Sequence, residues 1–172
     1  IIGMPKGLKQ TSQIITIGFN AAESDVNTFT ESSVDLNLSP LDREVFVVLG
    51  VNLDPFTPDF IADTVTQVSS SVTATSQRAV ANLSEANCLA AGQNIIRNET
   101  GVGAVAFQTL GLETPPATLD YIGIIATNDF FVQVEGANNN SQKEVNGKMY
   151  GYRAVADADI YAALVQSEVL SA

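Results

Sequence analysis

Short segments in which apolar and polar residues alternate recur along the chain, separated by Gly, Pro and Asn. The segments "QIITIGFN", "AVAFQTL", "DYIGIIAT" and "DFFVQVEG" each predict a strand. In "SVDLNLSP", Val34, Leu36 and Leu38 alternate with polar positions at period two. "DTVTQVSSSVTATS" is rich in Thr, Val and Ser, which is typical of a half-exposed strand. "EVFVVLGVNL" predicts a strand buried on both faces, stopped by Asp54-Pro55.

Two dipeptides between these segments predict tight hairpins. Asn128-Asp129 separates two predicted strands, and Asn146-Gly147 lies between "KEV" and "KMYGY". A two-residue turn that matches strand twist needs positive φ, which Gly and Asn adopt most easily. We therefore expect positive φ at both Asn146 and Gly147.

Helix is predicted in two places. "SEANCLAAGQNIIRN" favours a helix capped by Ser84. "DADIYAALVQSEVL" is the better candidate, with Asp157 and Asp159 suited to its N-terminus and Ile160 and Leu164 on one face. The alternation of apolar and polar residues in this segment would also fit a last strand that completes the sandwich.

Together these elements predict a mainly β protein: an antiparallel β-sandwich, jelly-roll-like, spanning residues 14–172 as a single domain. Residues 1–13 predict an extended N-terminal arm, because Gly3, Pro5 and Gly7 disfavour regular structure. An apolar arm packs either on its own domain or on a neighbouring subunit. Its apolar side chains are Ile1, Ile2, Met4 and Leu8.

The loop "DPFTPDF" carries two further candidates for subunit contact, Phe56 and Phe60. Aromatic residues in a turn either fold back on their own core or anchor a contact with another subunit. Asp54, Asp59 and Asp63 lie in and beside this loop. Their spacing is not that of an EF-hand, so a solvated acidic loop is expected, with Ca²⁺ between subunits as the alternative.

Charge is scarce and unevenly distributed. Charged residues make up 16% of the 172 residues, against about 25% in average soluble domains. The formal net charge is −11; residues 1–22 contribute +2, from Lys6 and Lys9, and residues 23–172 contribute −13, from six basic and 19 acidic residues. This balance disfavours specific nucleic-acid binding, which relies on Lys and Arg. A weakly charged surface is typical of a protein that assembles or works outside the cell.

Several kinds of chemistry are excluded by composition. The chain has no His and no Trp, and its one Cys is Cys88. The chain therefore cannot form a catalytic system in which imidazole activates a nucleophile. It also cannot form a cysteine–histidine zinc site or an internal disulfide. Composition does not exclude a glycosidase with paired carboxylates. Such enzymes, however, bind sugars on aromatic side chains, and this chain has no Trp and few Tyr. We predict a protein that is not an enzyme and has no cofactor, no metal, no secretory signal and no transmembrane segment.

In organisation, the chain resembles small jelly-roll-type capsid or coat proteins of bacterial or archaeal viruses. The resemblance is carried by the arm "IIGMPKGLKQ", the strand "EVFVVLGVNL" and the block from "IATNDFFVQVEGANNN" to "GKMYGYRAVADADIYAALVQSEVL". It implies a self-assembling virion protein, partnered by its own copies and by other virion proteins. Two other functions fit the pattern: a secreted surface or pilus-like subunit that donates its N-terminal strand, and a carbohydrate-binding β-sandwich module.

Overall fold

A computed structural model of the protein describes residues 6–99, 103–111 and 120–171, and within these ranges the chain forms two antiparallel five-stranded sheets and one helix. The first sheet consists of β1 (Leu8–Gln10), β2 (Ile15–Ala22), β4 (Glu44–Pro55), β8 (Gly123–Ile125) and β10 (Glu144–Ala156). The second sheet consists of β3 (Thr30–Asp35), β5 (Val65–Thr73), β6 (Cys88–Glu99), β7 (Gly103–Gly111) and β9 (Asp129–Ala137). The helix is α1 (Ala158–Ser171).

The strand order is that of a jelly roll. Successive strands β2, β3, β4 and β5 alternate between the two sheets, and β8, β9 and β10 alternate in the same way. The resulting orders are β2-β10-β4-β8 in one sheet and β3-β9-β5-β6 in the other, with β7 added at the edge of the second. The predicted mainly β, antiparallel, jelly-roll-like sandwich is confirmed.

The central strand β4 is buried on both faces, as its composition predicts. Phe46 and Val48 face the core between the sheets, whereas Val45 and Val47 face a second cluster under α1. All four side chains are fully buried. Each contributes about 1.5–3 kcal/mol through burial of apolar surface. One strand therefore joins both hydrophobic clusters.

Helix α1 covers the outer face of the first sheet. The Asp157 carboxylate accepts a hydrogen bond from the Ile160 N–H (2.9 Å), an N-terminal cap. Near the other end, the buried Glu168 carboxylate accepts hydrogen bonds from the Ala126 N–H (2.6 Å) and the Thr127 N–H (3.0 Å). The prediction of a C-terminal helix is confirmed, and Glu168 fastens it to the turn after β8. Within the described ranges, none of the helical structure has the length and hydrophobicity needed to cross a bilayer.

The predicted hairpin at Asn146-Gly147 is wrong, because β10 runs without interruption through both residues. Neither residue has a positive φ. Gly147 pairs with Leu53 on one side and with Phe19 on the other. A methyl group there would lie 2.5 Å from the Asn52 carbonyl oxygen and 2.5 Å from the Phe19 ring. Close packing, not turn geometry, requires this glycine.

The predicted hairpin at Asn128-Asp129 is also wrong. β8 belongs to the first sheet and β9 to the second, so this turn crosses between sheets. The Asn128 carbonyl oxygen accepts from the Leu36 N–H (2.8 Å), and its side-chain oxygen accepts from the Leu38 N–H (2.8 Å). The turn thus holds the segment that follows β3.

The helix predicted for residues 84–98 is absent, and most of this segment forms β6. β6 pairs with β5 on one side and with β7 on the other, and these long-range hydrogen bonds override a weak local helical pattern. Ser84 lies in the preceding turn and not at a helix N-terminus. Cys88 is a free, half-buried thiol, and burial raises its pKa.

Candidate functional site

The N-terminal segment lies along the last strand of its own chain. β1 and β2 occupy the same edge of β10 end to end: Leu8 pairs with Ala156, and Ile15 pairs with Gly151. Between them the Thr11 N–H donates to the Arg153 carbonyl oxygen (2.9 Å). The expectation of an arm without regular structure therefore does not hold for residues 8–10.

Contacts with α1 hold the start of this segment. Gly7 has φ of +83°, and a methyl group on it would lie 2.7 Å from a side-chain carbon of Ile160. The Gly7 carbonyl oxygen accepts from the Asp157 N–H (3.0 Å), and Leu8 packs into the cluster under the helix. Leu8 thus contacts its own domain, while the candidates Ile1, Ile2 and Met4 lie outside the described residues.

The rings of Phe56 and Phe60 project from a loop whose backbone is held in place. The Phe56 N–H donates to the Glu144 carbonyl oxygen (2.9 Å), and the Asn94 side chain donates to the Pro55 carbonyl oxygen (2.9 Å). The two residues are nevertheless 46% and 68% exposed. They do not fold back on the core of their own domain.

Asp59 holds this loop to the segment before β10. Its carboxylate lies 2.7 Å from Lys143 Nζ and accepts hydrogen bonds from the Asn140 N–H (2.8 Å) and the Ser141 N–H (3.0 Å). The hydrogen bond from the Lys143 ammonium is the main cause that lowers the pKa of Asp59 to about 2. The carboxylate is thus occupied by its own chain.

A second carboxylate, Glu23, is buried at the same end of the sandwich. It accepts hydrogen bonds from three backbone N–H groups: Thr28 (2.8 Å), Gly136 (2.9 Å) and Lys143 (2.7 Å). A third polar side chain, Asn139, is also buried there and accepts from the Asp59 N–H (2.9 Å). These residues tie three loops together, and no motif in the sequence predicts them because their partners are far apart along the chain.

Asp54, Asp59 and Asp63 are not grouped into a metal site within this chain. Asp54 belongs to β4, Asp59 is paired with Lys143, and Asp63 lies in a turn with φ of 58°. Throughout residues 6–99, 103–111 and 120–171, no three Asp, Glu or Cys side chains are grouped closely enough to hold a metal ion.

The outer face of the second sheet is more deeply buried than the sequence predicts. The segment between β5 and β6 folds over it, with the Ala81 N–H donating to Ser71 Oγ (3.0 Å). Gln133 is fully buried beneath, accepting from Ser71 Oγ (2.6 Å) and donating to Thr73 Oγ1 (2.8 Å) and Glu31 Oε2 (2.9 Å). This hydrogen-bonded network fixes the covering segment.

Beside this segment, an open groove of about 530 Å³ lies on the outer face of the second sheet. Ser69, Gln93 and Glu135 line it from the strands, and Val80 and Leu83 line it from the covering segment. Gln93 accepts a hydrogen bond from Gln67 (2.8 Å). The groove thus presents a mixture of polar and apolar groups.

The edge of the second sheet carries a further apolar surface. Within the described residues, β7 pairs with β6 alone. Val105 and Phe107 in this strand are 51% and 50% exposed, although the sequence pattern predicts only that the segment is a strand.

Comparison with solved structures shows distant similarity, whereas the sequence comparisons find none. No protein-family model matches the sequence, and no curated protein matches it. A chain of the solved structure of Desmodium yellow mottle tymovirus is similar over 90% of this chain and 95% of that chain, with 11% sequence identity and a TM-score of 0.30. This similarity is too distant to indicate an activity or a partner.

Proposed function

We propose that the chain is a virion structural protein, a self-assembling capsid or coat subunit without catalytic activity. The observation that carries this proposal is the loop with Phe56 and Phe60. Its backbone is fixed by hydrogen bonds, yet it presents two large apolar rings to solvent. Preformed exposed aromatic residues are typical of surfaces that bury themselves against another protein.

The polar interior supports the same proposal. Glu23, Asp59 and Gln133 are each occupied by hydrogen bonds that join loops or strands of the domain. Side chains with such partners stabilise a rigid unit and are not free to act on a substrate. The proposed partners are other copies of the chain and other virion proteins, in a virus of bacteria or archaea, without specific recognition of nucleic acid.

The N-terminal residues complete the proposed contacts. Leu8 is packed on its own domain, so the contact with a neighbouring subunit is assigned to Ile1, Ile2 and Met4. Each of these side chains contributes roughly 1.5–3 kcal/mol when fully buried, which offsets the entropy lost on ordering them. A variant that lacks residues 1–5 should retain its circular dichroism spectrum but assemble poorly.

Electron microscopy of the purified chain, combined with sedimentation velocity at increasing concentration, tests the proposal. We expect closed shells or their partial fragments, and weaker assembly for Phe60→Ser. A Leu41→Ser variant is the control, because Leu41 is 95% exposed in a different loop. A chain that stays monomeric at every concentration and ionic strength would contradict the proposal.

A filament subunit that donates its N-terminal strand is the second candidate. It is favoured by the short strand β1, which adds to a sheet edge and is separated from β2 by residues 11–14. A strand so placed can pair with the same edge of a neighbouring copy. Linear filaments, in place of shells, in the same micrographs would support this candidate.

A carbohydrate-binding module is the third candidate, and the observation in its favour is the groove lined by Ser69, Gln93 and Glu135. Hydroxyl, amide and carboxylate groups suit a ligand rich in hydroxyls. A glycan array probed with the monomeric chain, and with Gln93→Ala as the comparison, tests it. Saturable binding that is lost in the variant would support this function.

A further inference from the structure

Strand β7 itself carries none of the residues or irregularities that usually protect a sheet edge. Its sequence, "GAVAFQTLG", contains no charged residue and no Pro. Its pairing with β6 runs in regular register from Gly103 to Gly111, with no bulge. Natural edge strands are commonly blunted by Lys, Pro, bulges or a covering segment, because free backbone N–H and C=O groups can pair with another chain. Among the described residues, no other strand pairs with β7.

One face of this edge carries two exposed apolar side chains of β7, Val105 and Phe107. Phe107 pairs with Ile95 on β6, and Val105 pairs with Arg97, which in turn pairs with Val65 on β5. Val65 on β5 is 38% exposed, and the exposed Arg97 on β6 lies between it and Val105. A strand added to β7 would bury part of this surface.

The other face is flanked by the loop that carries Phe56 and Phe60. Asn94 and Asn98, which share a face of β6, donate to the carbonyl oxygens of Pro55 (2.9 Å) and Ile61 (3.2 Å). On β7, that face carries Ala104 opposite Asn98 and Ala106 opposite Ile96, followed by the larger, polar Gln108 opposite Asn94. The exposed aromatic loop therefore lies beside the free edge.

Charge favours a second copy as the occupant of this edge. The chain carries a net charge of −11, so two copies repel each other over much of their surfaces. β7 carries no charge at all, and an antiparallel strand can pair with itself about a two-fold axis. Two copies that meet at β7 therefore bring no charged side chain of one β7 strand against that of the other.

We propose that β7 pairs antiparallel with β7 of a second copy, so that the second sheets of two subunits form one continuous sheet. This inference rests on the proposed function, which makes a second copy of the chain the partner. It names β7 as a surface of contact between the copies, which the exposed aromatic loop by itself does not identify. A single strand pair is small beside the roughly 1,200–2,000 Å² that stable interfaces bury. The contact therefore acts together with other contacts in an assembly and depends on concentration.

Disulfide trapping tests the geometry. Single cysteines replace Ala104, Val105, Ala106, Phe107 and Gln108 in turn, in a Cys88→Ala background, and the proteins are oxidised under conditions in which the chain assembles. Identical residues approach each other only near a two-fold axis. We expect crosslinked dimers at one or two neighbouring positions and few elsewhere. Thr16→Cys, exposed on β2 of the other sheet, is the control.

A second measurement separates this inference from the proposed function. Ala106→Lys places a charge at the edge and should weaken self-association about tenfold or more, with an unchanged melting temperature. Gln13→Lys, also exposed, should assemble like the unmodified chain. If Ala106→Lys assembles normally, or if crosslinking shows no preferred position, the inference is wrong and the proposed function stands. If the unmodified chain never assembles, both are wrong.

Discussion

Lys143 Nζ lies 2.7 Å from Asp59 Oδ1, and this ion pair joins the loop after β4 to the segment before β10. The side chains are unequally shielded: that of Lys143 is 7% exposed and that of Asp59 is 28% exposed. The ammonium therefore depends on the carboxylate more than the carboxylate depends on the ammonium. Loss of the carboxylate leaves a nearly buried cation without its counter-ion.

Replacing Asp59 should consequently destabilise the domain. We expect Asp59→Asn to lower the free energy of unfolding by about 2 kcal/mol, because Lys143 keeps its charge and loses its partner. Urea denaturation followed by circular dichroism measures the change. Asp54→Asn is the control, since Asp54 is exposed in the same region, and it should fall within about 0.5 kcal/mol of the unmodified chain. Equal effects in the two variants would contradict the role given to the pair.

The same carboxylate predicts how stability depends on pH. The pKa of Asp59 is lowered from 3.8 to about 2 in the folded chain, so folding favours the ionised form. This contribution is fully present above the unfolded pKa of 3.8 and is lost as pH falls to about 2. The difference in melting temperature between Asp59→Asn and the unmodified chain should therefore shrink between these pH values. A constant difference down to pH 2 would show that another interaction is responsible.

Gly147 should not tolerate a methyl group, although it lies in an ordinary strand. Gly147→Ala should cost about 1–3 kcal/mol through overpacking against Phe19 and the Asn52 carbonyl oxygen. Gly18→Ala on neighbouring β2 should be neutral or slightly stabilising, because no atom lies within 4 Å of the added carbon. Thermal denaturation of the two variants compares them directly. Similar melting temperatures would refute the packing explanation.

Gln133 should hold the segment between β5 and β6 over the second sheet. Gln133→Ala removes hydrogen bonds to Ser71, Thr73 and Glu31, at a cost of about 1–3 kcal/mol. Limited proteolysis should then cut residues 74–87 faster than in the unmodified chain. Glu135→Ala, an exposed position on the same face of β9, should leave the rate of cleavage unchanged. Cleavage confined to other loops would contradict this prediction.

Several elements were predictable because their signal is local and strong. The doubly buried β4 follows from its β-branched and aromatic run, and α1 follows from Asp157 and its apolar face. The turns were harder. Asn146-Gly147 has the composition of a tight turn, yet β10 pairs with a strand on each side. Local propensity for a turn cannot outweigh two ladders of hydrogen bonds formed with distant residues.

In the candidate site, too, some features could be predicted from the sequence and others could not. Phe56 and Phe60 could be singled out because aromatic residues beside two prolines are unusual in a turn. The pair of Asp59 and Lys143 could not, because 84 positions separate the two residues. The position of β7, last among the described strands of its sheet, was equally hidden, since only the strand order reveals it.

The end-to-end placement of β1 and β2 along β10 determines when the first sheet can close during synthesis. Hydrogen bonds to this strand join residues 124 and 141 positions apart. At a synthesis rate of about 5–20 residues per second, β2 waits roughly ten seconds for its partner. Contacts of such high sequence separation also fold slowly. Until β10 emerges, the first sheet lacks the strand that joins β1 and β2 to β4. Closure of that sheet therefore sets the earliest moment at which the sandwich can be complete.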